Sequence, residues 1–103
     1  MEEILPQDLA LRLDSGCHLL DVRELAEYHL CALPGAVHIP LGEIPNRFGE
    51  LAPDEEWVVY CHHGTRSSFA VEFLHAVGFT RLKNLSGGID AWAAQVDPSM
   101  ARY

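Results

Sequence analysis

Short apolar runs alternate with helical patterns along this chain, and no other feature restricts the fold as strongly. Runs of strand length occupy 18–22, 36–39, 57–60 and 81–85. A helical segment begins at Pro6 and ends before Gly16, and further ones follow at 24–31, 45–51, 67–77 and 89–94. Strands that alternate with helices indicate an α/β domain with a central, mainly parallel sheet flanked by helices on both faces.

The length and composition of the chain fit one domain of this kind. Of the 103 residues, 49% are hydrophobic and 21% are charged, a balance that is typical of globular proteins. The sequence contains no internal repeat, no low-complexity stretch and no linker. We therefore expect residues 1–103 to form a single domain.

The net charge argues against two classes of partner. Seven basic residues against fifteen acidic ones give a formal charge of −8. A field of this sign repels phosphate backbones and anionic lipid headgroups, so we expect neither nucleic acid nor a membrane as a partner. The first residues are acidic where a signal peptide is basic, and no apolar run is long enough to span a bilayer. We therefore expect a cytoplasmic protein.

The cysteines indicate free thiols. The chain has an odd number of cysteines, and no two of them have C-x-x-C spacing. They are Cys17, Cys31 and Cys61. In a cytoplasmic chain this pattern argues against a disulfide framework.

The segment after the third strand combines a cysteine with features that bind anions. Cys61 follows Tyr60 directly, and the helix at 67–77 begins six residues later. The N-terminus of a helix carries a partial positive charge, and Arg66 adds a full one, so both favour a thiolate. Gly64 allows successive backbone amides to point inward as an anion-binding nest. Cys61 is therefore our candidate nucleophile, although a cysteine at a strand end is often only a small buried hydrophobe.

The histidines in this loop have two interpretations. His62 and His63 could line the mouth of the pocket and assist proton transfer, or they could be exposed loop residues. Histidine and cysteine are zinc ligands, but adjacent side chains in a tight loop are expected to point apart. The sequence therefore predicts no metal site.

Two further segments predict how helices pack in the fold. The helix at 67–77 should bury one face, which consists of Phe69, Ala70, Phe73, Leu74 and Val77. Two consecutive glycines, Gly87 and Gly88, should permit a tight turn and a close backbone approach before the last helix.

Four segments in order resemble the rhodanese family of sulfurtransferase domains. They are Leu20-Asp21-Val22-Arg23-Glu24, the stretch 33–40, the loop at 61–67, and the stretch 78–92, which ends in Ser86-Gly87-Gly88-Ile89-Asp90-Ala91-Trp92. The similarity covers nearly the full length. It implies a rhodanese-like fold and sulfur transfer through Cys61, with no metal and no organic cofactor.

The resemblance also implies a reaction and its partners. The Cys61 thiolate takes the outer sulfur of a small anionic donor such as thiosulfate, and the resulting persulfide gives it to cyanide or a thiol. A protein persulfide is an alternative donor. The substrate-binding residues would be His62, His63, Gly64, Thr65, Arg66 and Ser67. Related dual-specificity phosphatases place five residues between the cysteine and the arginine, whereas four separate Cys61 from Arg66, which argues against phosphatase activity.

The sequence leaves three questions undecided. Asp21 and Arg23 would support the site, either beside the loop or by bracing the fold through an ion pair of Arg23 with Asp21, Glu24 or Glu27. Cys31 could resolve the Cys61 persulfide as a disulfide, or it could be a small core residue. The domain could also be a persulfide carrier that a partner protein loads, with little turnover on small donors.

Overall fold

A computed structural model describes residues 1–103 and contains a five-stranded sheet in which every pair of neighbouring strands is parallel. The strand order is β1-β5-β4-β2-β3. The strands are β1 (Glu3–Ile4), β2 (His18–Asp21), β3 (Val37–His38), β4 (Trp57–Tyr60) and β5 (Leu82–Leu85). The helices are α1 (Pro6–Ala10), α2 (Leu25–Leu30), α3 (Ile44–Arg47), α4 (Thr65–Ala76) and α5 (Gly88–Gln95), and short 3₁₀ turns flank α3 at Leu41–Glu43 and Phe48–Glu50. The predicted α/β class is confirmed.

Helices cover both faces of the sheet and enclose two separate cores. One core joins the sheet to α1 and α5 through Leu9, Ile89 and Trp92. The other joins it to α3 and α4 through Ile44 and Leu74. The residues of β4 alternate between the two cores because successive side chains of a strand point to opposite faces. Val58 and Tyr60 lie in the first core, and Trp57 and Val59 lie in the second.

The buried face of α4 matches the predicted one only in part. Phe69 is 59% exposed and Val77 is 38% exposed, so the prediction for these two residues was wrong. Ala70 and Leu74 are buried as predicted, and Phe73 packs half-buried against the core. The helix also buries Ser67 and Val71, which lie three residues before Ala70 and Leu74, respectively, on the same side. The sheet therefore packs against the side of α4 that carries Ala70 and Leu74, and Phe69 stays exposed.

The parallel arrangement places the ends of three neighbouring strands side by side. Asp21 ends β2, Cys61 follows β4, and Leu85 ends β5. In open parallel sheets, ligand sites lie beyond these carboxyl ends. The helices are all too short or too polar to cross a membrane.

Candidate active site

Cys61 lies at the floor of a cradle made by its own loop. It is 1% exposed, and its Sγ accepts hydrogen bonds from the backbone N–H of Gly64 at 3.1 Å and of Ser67 at 3.3 Å. The Ser67 hydroxyl lies 3.4 Å from the same sulfur. Gly64 has a φ of +109° and immediately precedes α4, so the loop turns sharply enough to aim these amides inward. The cradle is therefore complementary to a negatively charged sulfur.

A buried asparagine holds the cradle in place. The Nδ2 of Asn84 donates to the carbonyl oxygen of Gly64 at 3.1 Å, and the Ser67 hydroxyl donates to Asn84 Oδ1 at 2.5 Å. Asn84 is 4% exposed. Asn84 was not among the predicted site residues, although an amide between the apolar ends of a predicted strand is a signal that a buried hydrogen-bond partner lies nearby.

The start of α5 packs directly on the active-site loop. The N–H groups of Ile89 and Asp90 donate to the carbonyl oxygens of Cys61 and His62 at 2.9 and 3.1 Å. Gly88 allows this approach, because a Cβ there would lie 2.4 Å from the carbonyl oxygen of His62. The close backbone approach predicted for the two glycines is confirmed.

Asp21 and Arg23 form a fully buried ion pair, and both residues are 0% exposed. Arg23 Nε and Nη2 donate to the two carboxylate oxygens of Asp21 at 2.9 and 2.6 Å. The Tyr60 hydroxyl adds a bond to Asp21 at 2.8 Å, and burial raises the pKa of Tyr60. Arg23 Nη2 also donates to the carbonyl oxygen of Cys31 at 2.6 Å. Of the interpretations left open, these contacts favour bracing, with Asp21 as the partner of Arg23.

The positive charge that Arg66 was predicted to add near Cys61 is paired with an acid. The Nη1 and Nη2 of Arg66 donate to Glu27 Oε1 and Oε2 at 2.6 and 2.9 Å. Arg66 also holds the pKa of Glu27 well below its usual range, at about 2. Glu27 is the second residue that sequence reasoning missed at the site. It was considered only as a partner of Arg23, because nothing local in a sequence links residues 39 positions apart.

Tyr103 connects the C-terminal segment to the site. Its ring stacks on His62 with centroids 3.9 Å apart and an interplanar angle of 12°. Its hydroxyl donates to Glu27 Oε2 at 2.6 Å and accepts from Arg23 Nη1 at 3.0 Å. Burial, followed by the bond to Glu27, raises the pKa of Tyr103 to about 12. The sequence carried no signal for this contact.

The two histidines are stacked, so the expectation that their side chains point apart was wrong. The ring centroids of His62 and His63 are 3.9 Å apart, and together with Asp90 they place candidate ligand atoms within 4.8 Å of one another. Ligands of one tetrahedral zinc ion lie about 3.3 Å apart, and the lone pair of a ring nitrogen lies in the ring plane. Stacked rings therefore do not direct two lone pairs at one ion. The absence of a metal stays a prediction.

The cysteines are all free, as predicted. Cys61 belongs to the core on the side of α3 and α4, whereas Cys31 packs against the core on the side of α1 and α5. Cys31 Sγ lies 4.0 Å from Arg23 Nη1. This separation favours a packing role for Cys31.

The pair of Glu27 with Arg66 predicts a dependence of stability on pH. A depressed carboxyl pKa stabilises the fold above the unfolded value near 4.5, and this contribution is lost as the pH falls towards about 2. We expect Glu27→Gln to lower the free energy of unfolding by about 1 to 3 kcal/mol at pH 7. The difference from wild type should shrink steadily below pH 4.5. Urea titrations between pH 7 and pH 3 measure it, and a difference that is constant with pH would contradict the ion pair.

Comparisons with known proteins agree with this geometry. The chain is 40% identical over 83 residues to a sulfurtransferase of Allochromatium vinosum, which covers 81% of this chain and 78% of that protein. It is 38% identical over 84 residues to "Putative sulfur carrier protein YrkF" of Bacillus subtilis, with 82% of this chain covered, and it spans 45% of the length of YrkF. The crystal structure of a rhodanese-related protein from Thermoplasma volcanium matches with a TM-score of 0.87 and 31% identity, over 93% of this chain and 94% of that one.

The family itself is established by a match to most of the chain. A family model for the rhodanese-like domain matches residues 5–95. This range contains all five helices and four of the five strands. It also contains Cys61 and every residue that bonds to its sulfur. The chain belongs to the rhodanese-like domain family.

Proposed function

We propose that this protein is a sulfurtransferase that carries sulfane sulfur on Cys61. One observation carries the proposal: the sulfur of Cys61 accepts hydrogen bonds from the backbone N–H groups of Gly64 and Ser67. These groups lie at the start of α4, and Cys61 directly follows β4. The two N–H groups stabilise the negative charge of a thiolate at this position, and a thiolate is the nucleophilic form of cysteine. The names of the relatives, a sulfurtransferase and a sulfur carrier, support the same chemistry.

The proposed reaction has two displacement steps. The Cys61 thiolate attacks the outer sulfur of a donor, so a bond forms between Cys61 Sγ and this sulfur while the donor's own bond to it breaks. With thiosulfate the leaving group is sulfite, and Cys61 becomes a persulfide. A thiol or cyanide then attacks the outer sulfur, and the Cys61 thiolate leaves. The steps only move sulfur between nucleophiles, so no metal or organic cofactor is needed.

The cradle has a defined role in both steps. The amides of the loop at 62–67 would hold the donor's anionic sulfur and then the persulfide, which is longer than the thiolate by one atom. Ser67 would position the sulfur through its hydroxyl, 3.4 Å away. Asp21 and Arg23 would act indirectly, because their buried pair orders the end of β2 beside the loop.

A carrier role is the second candidate. Tyr103 stacks on His62 and so covers part of the mouth of the site, which would slow exchange with small donors. A carrier would accept sulfur from a specific partner and pass it on with little turnover. We expect either activity to be cytoplasmic.

The intact mass of the protein before and after incubation with sulfur donors tests the proposal. We expect a gain of one sulfur atom from thiosulfate or from a low-molecular-weight persulfide, reversed by cyanide with release of thiocyanate. A much faster gain from a protein-bound persulfide than from either small donor would indicate the carrier. No gain from any of the three donors would contradict sulfur transfer by this chain.

A further inference from the structure

The arginines near the active-site loop are all paired with acids. Arg23 pairs with Asp21, Arg66 with Glu27 and Arg102 with Asp90. Positive charge at the site is therefore provided by backbone N–H groups and is not supplemented by a free side chain. The arrangement differs from the usual way in which proteins bind oxyanions, in which the fork of an arginine faces the ligand.

Glu27 occupies the end of the Arg66 guanidinium that its two terminal nitrogens form. Both terminal nitrogens of Arg66 donate to it, and the two carboxylate oxygens also accept the N–H of Glu24 at 3.1 Å and the hydroxyl of Tyr103 at 2.6 Å. Four donors thus hold one carboxylate. Its side chain is 18% exposed, so solvent screens the pair only partly. A donor that binds the two terminal nitrogens of Arg66 side by side must displace this carboxylate.

We propose that Glu27 sets the donor class of the site by withholding Arg66 from oxyanions, so that Cys61 is loaded by persulfides in preference to thiosulfate. The inference rests on the proposed sulfur transfer and concerns its substrate. Glu27 contacts no reacting atom, so it is a positioning residue.

The charges of the two donors explain the preference. Thiosulfate is a dianion, and its leaving group, sulfite, is also a dianion. A persulfide R–S–SH is neutral or singly charged: Cys61 takes its outer sulfur, the bond between the two donor sulfurs breaks, and the leaving thiolate takes up the proton. The chain has a net charge of −8, so its long-range field also disfavours the dianion.

Steady-state kinetics with two donors test the proposal. For wild type, we expect kcat/KM to be higher with glutathione persulfide than with thiosulfate. Glu27→Gln, which keeps the shape but weakens the hold on Arg66, should lower KM for thiosulfate about tenfold with little change in kcat. The same variant should leave the glutathione persulfide constants within about twofold of wild type, because no step with that donor uses Arg66.

Two control variants separate release of Arg66 from a general loss of negative charge. Glu24→Gln removes a neighbouring exposed carboxylate but keeps a side-chain oxygen that can accept the backbone N–H of Glu27, so we expect the pair to stay intact and neither donor's KM to change. Adding Arg66→Ala to Glu27→Gln should cancel the gain with thiosulfate. Equal effects of Glu27→Gln and Glu24→Gln, or an unchanged thiosulfate KM in Glu27→Gln, would overturn the proposal.

A third donor in the same kinetic assay distinguishes the source of the persulfide. This donor is a persulfide on a protein cysteine, used in place of glutathione persulfide. A higher rate with the protein indicates a protein source, and a higher rate with glutathione persulfide indicates a small-thiol source. If wild type preferred thiosulfate over both, the assignment of Glu27 would be wrong while sulfur transfer through Cys61 would stand. If no donor loaded Cys61, the proposed function itself would fail.

Discussion

Replacing Cys61 by serine is expected to abolish sulfur loading and to leave the fold intact. The oxygen of serine fits the space of the sulfur and can accept the same N–H groups from Gly64 and Ser67. It cannot carry a persulfide, because a hydroxyl is neither ionised near neutral pH nor a nucleophile towards sulfane sulfur. The variant should therefore show no mass gain, and its free energy of unfolding should stay within about 2 kcal/mol of wild type.

The two other cysteines provide matched controls for this variant. Cys17 and Cys31 are half-buried, and neither bonds to the cradle. Cys17→Ser and Cys31→Ser should each load sulfur as wild type does, and the added mass should map to Cys61 in both. Loading that persists in Cys61→Ser would show that another atom is the nucleophile. Loss of turnover in Cys31→Ser alone would restore the resolving thiol that the two separate cores argue against.

The sequence predicted the elements whose signal is local. The apolar β4 and the loop that begins at Cys61 were found because a buried strand and a strand-to-helix turn each leave a pattern within a few residues. β1 was missed because Glu3–Ile4 contains a single apolar residue, whereas the equally short β3 lies inside the apolar run at 36–39. The pairing of β1 with β5 is not visible in the sequence. The face of α4 was predicted correctly for Ala70 and Leu74 but not for Phe69 and Val77, because an apolar residue on a helix can also lie beside the buried face and stay exposed.

The residues that were missed at the site are joined by contacts that are distant in sequence. Glu27 lies 39 positions from Arg66 and 76 from Tyr103. A sequence shows that charges are present, and only the fold shows which of them meet. The sequence therefore placed Arg66 near Cys61, but it could not show that Glu27 pairs with Arg66.

The packing of α5 on the loop gives the second prediction with a large effect, the loss of stability in Gly88→Ala. An added Cβ would lie 2.4 Å from the carbonyl oxygen of His62, 2.5 Å from its carbonyl carbon and 2.6 Å from the carbonyl oxygen of Cys61. These neighbours are backbone atoms and cannot rotate away. Gly88 also has a φ of +62°, which adds about 1 to 2 kcal/mol for any L side chain.

Relief of this overlap requires α5 and the loop to separate, which breaks the bonds from the N–H groups of Ile89 and Asp90. We expect Gly88→Ala to lose more than about 4 kcal/mol of unfolding free energy, a large part of the 5 to 15 kcal/mol typical of a domain. Urea denaturation measures the loss. Gly35→Ala is the matched control, because Gly35 has a φ of +74° with no atom within 4 Å of the new Cβ. Equal losses in the two variants would mean that the positive φ alone causes the loss of stability. The packing of α5 would then not stabilise the loop that contains Cys61.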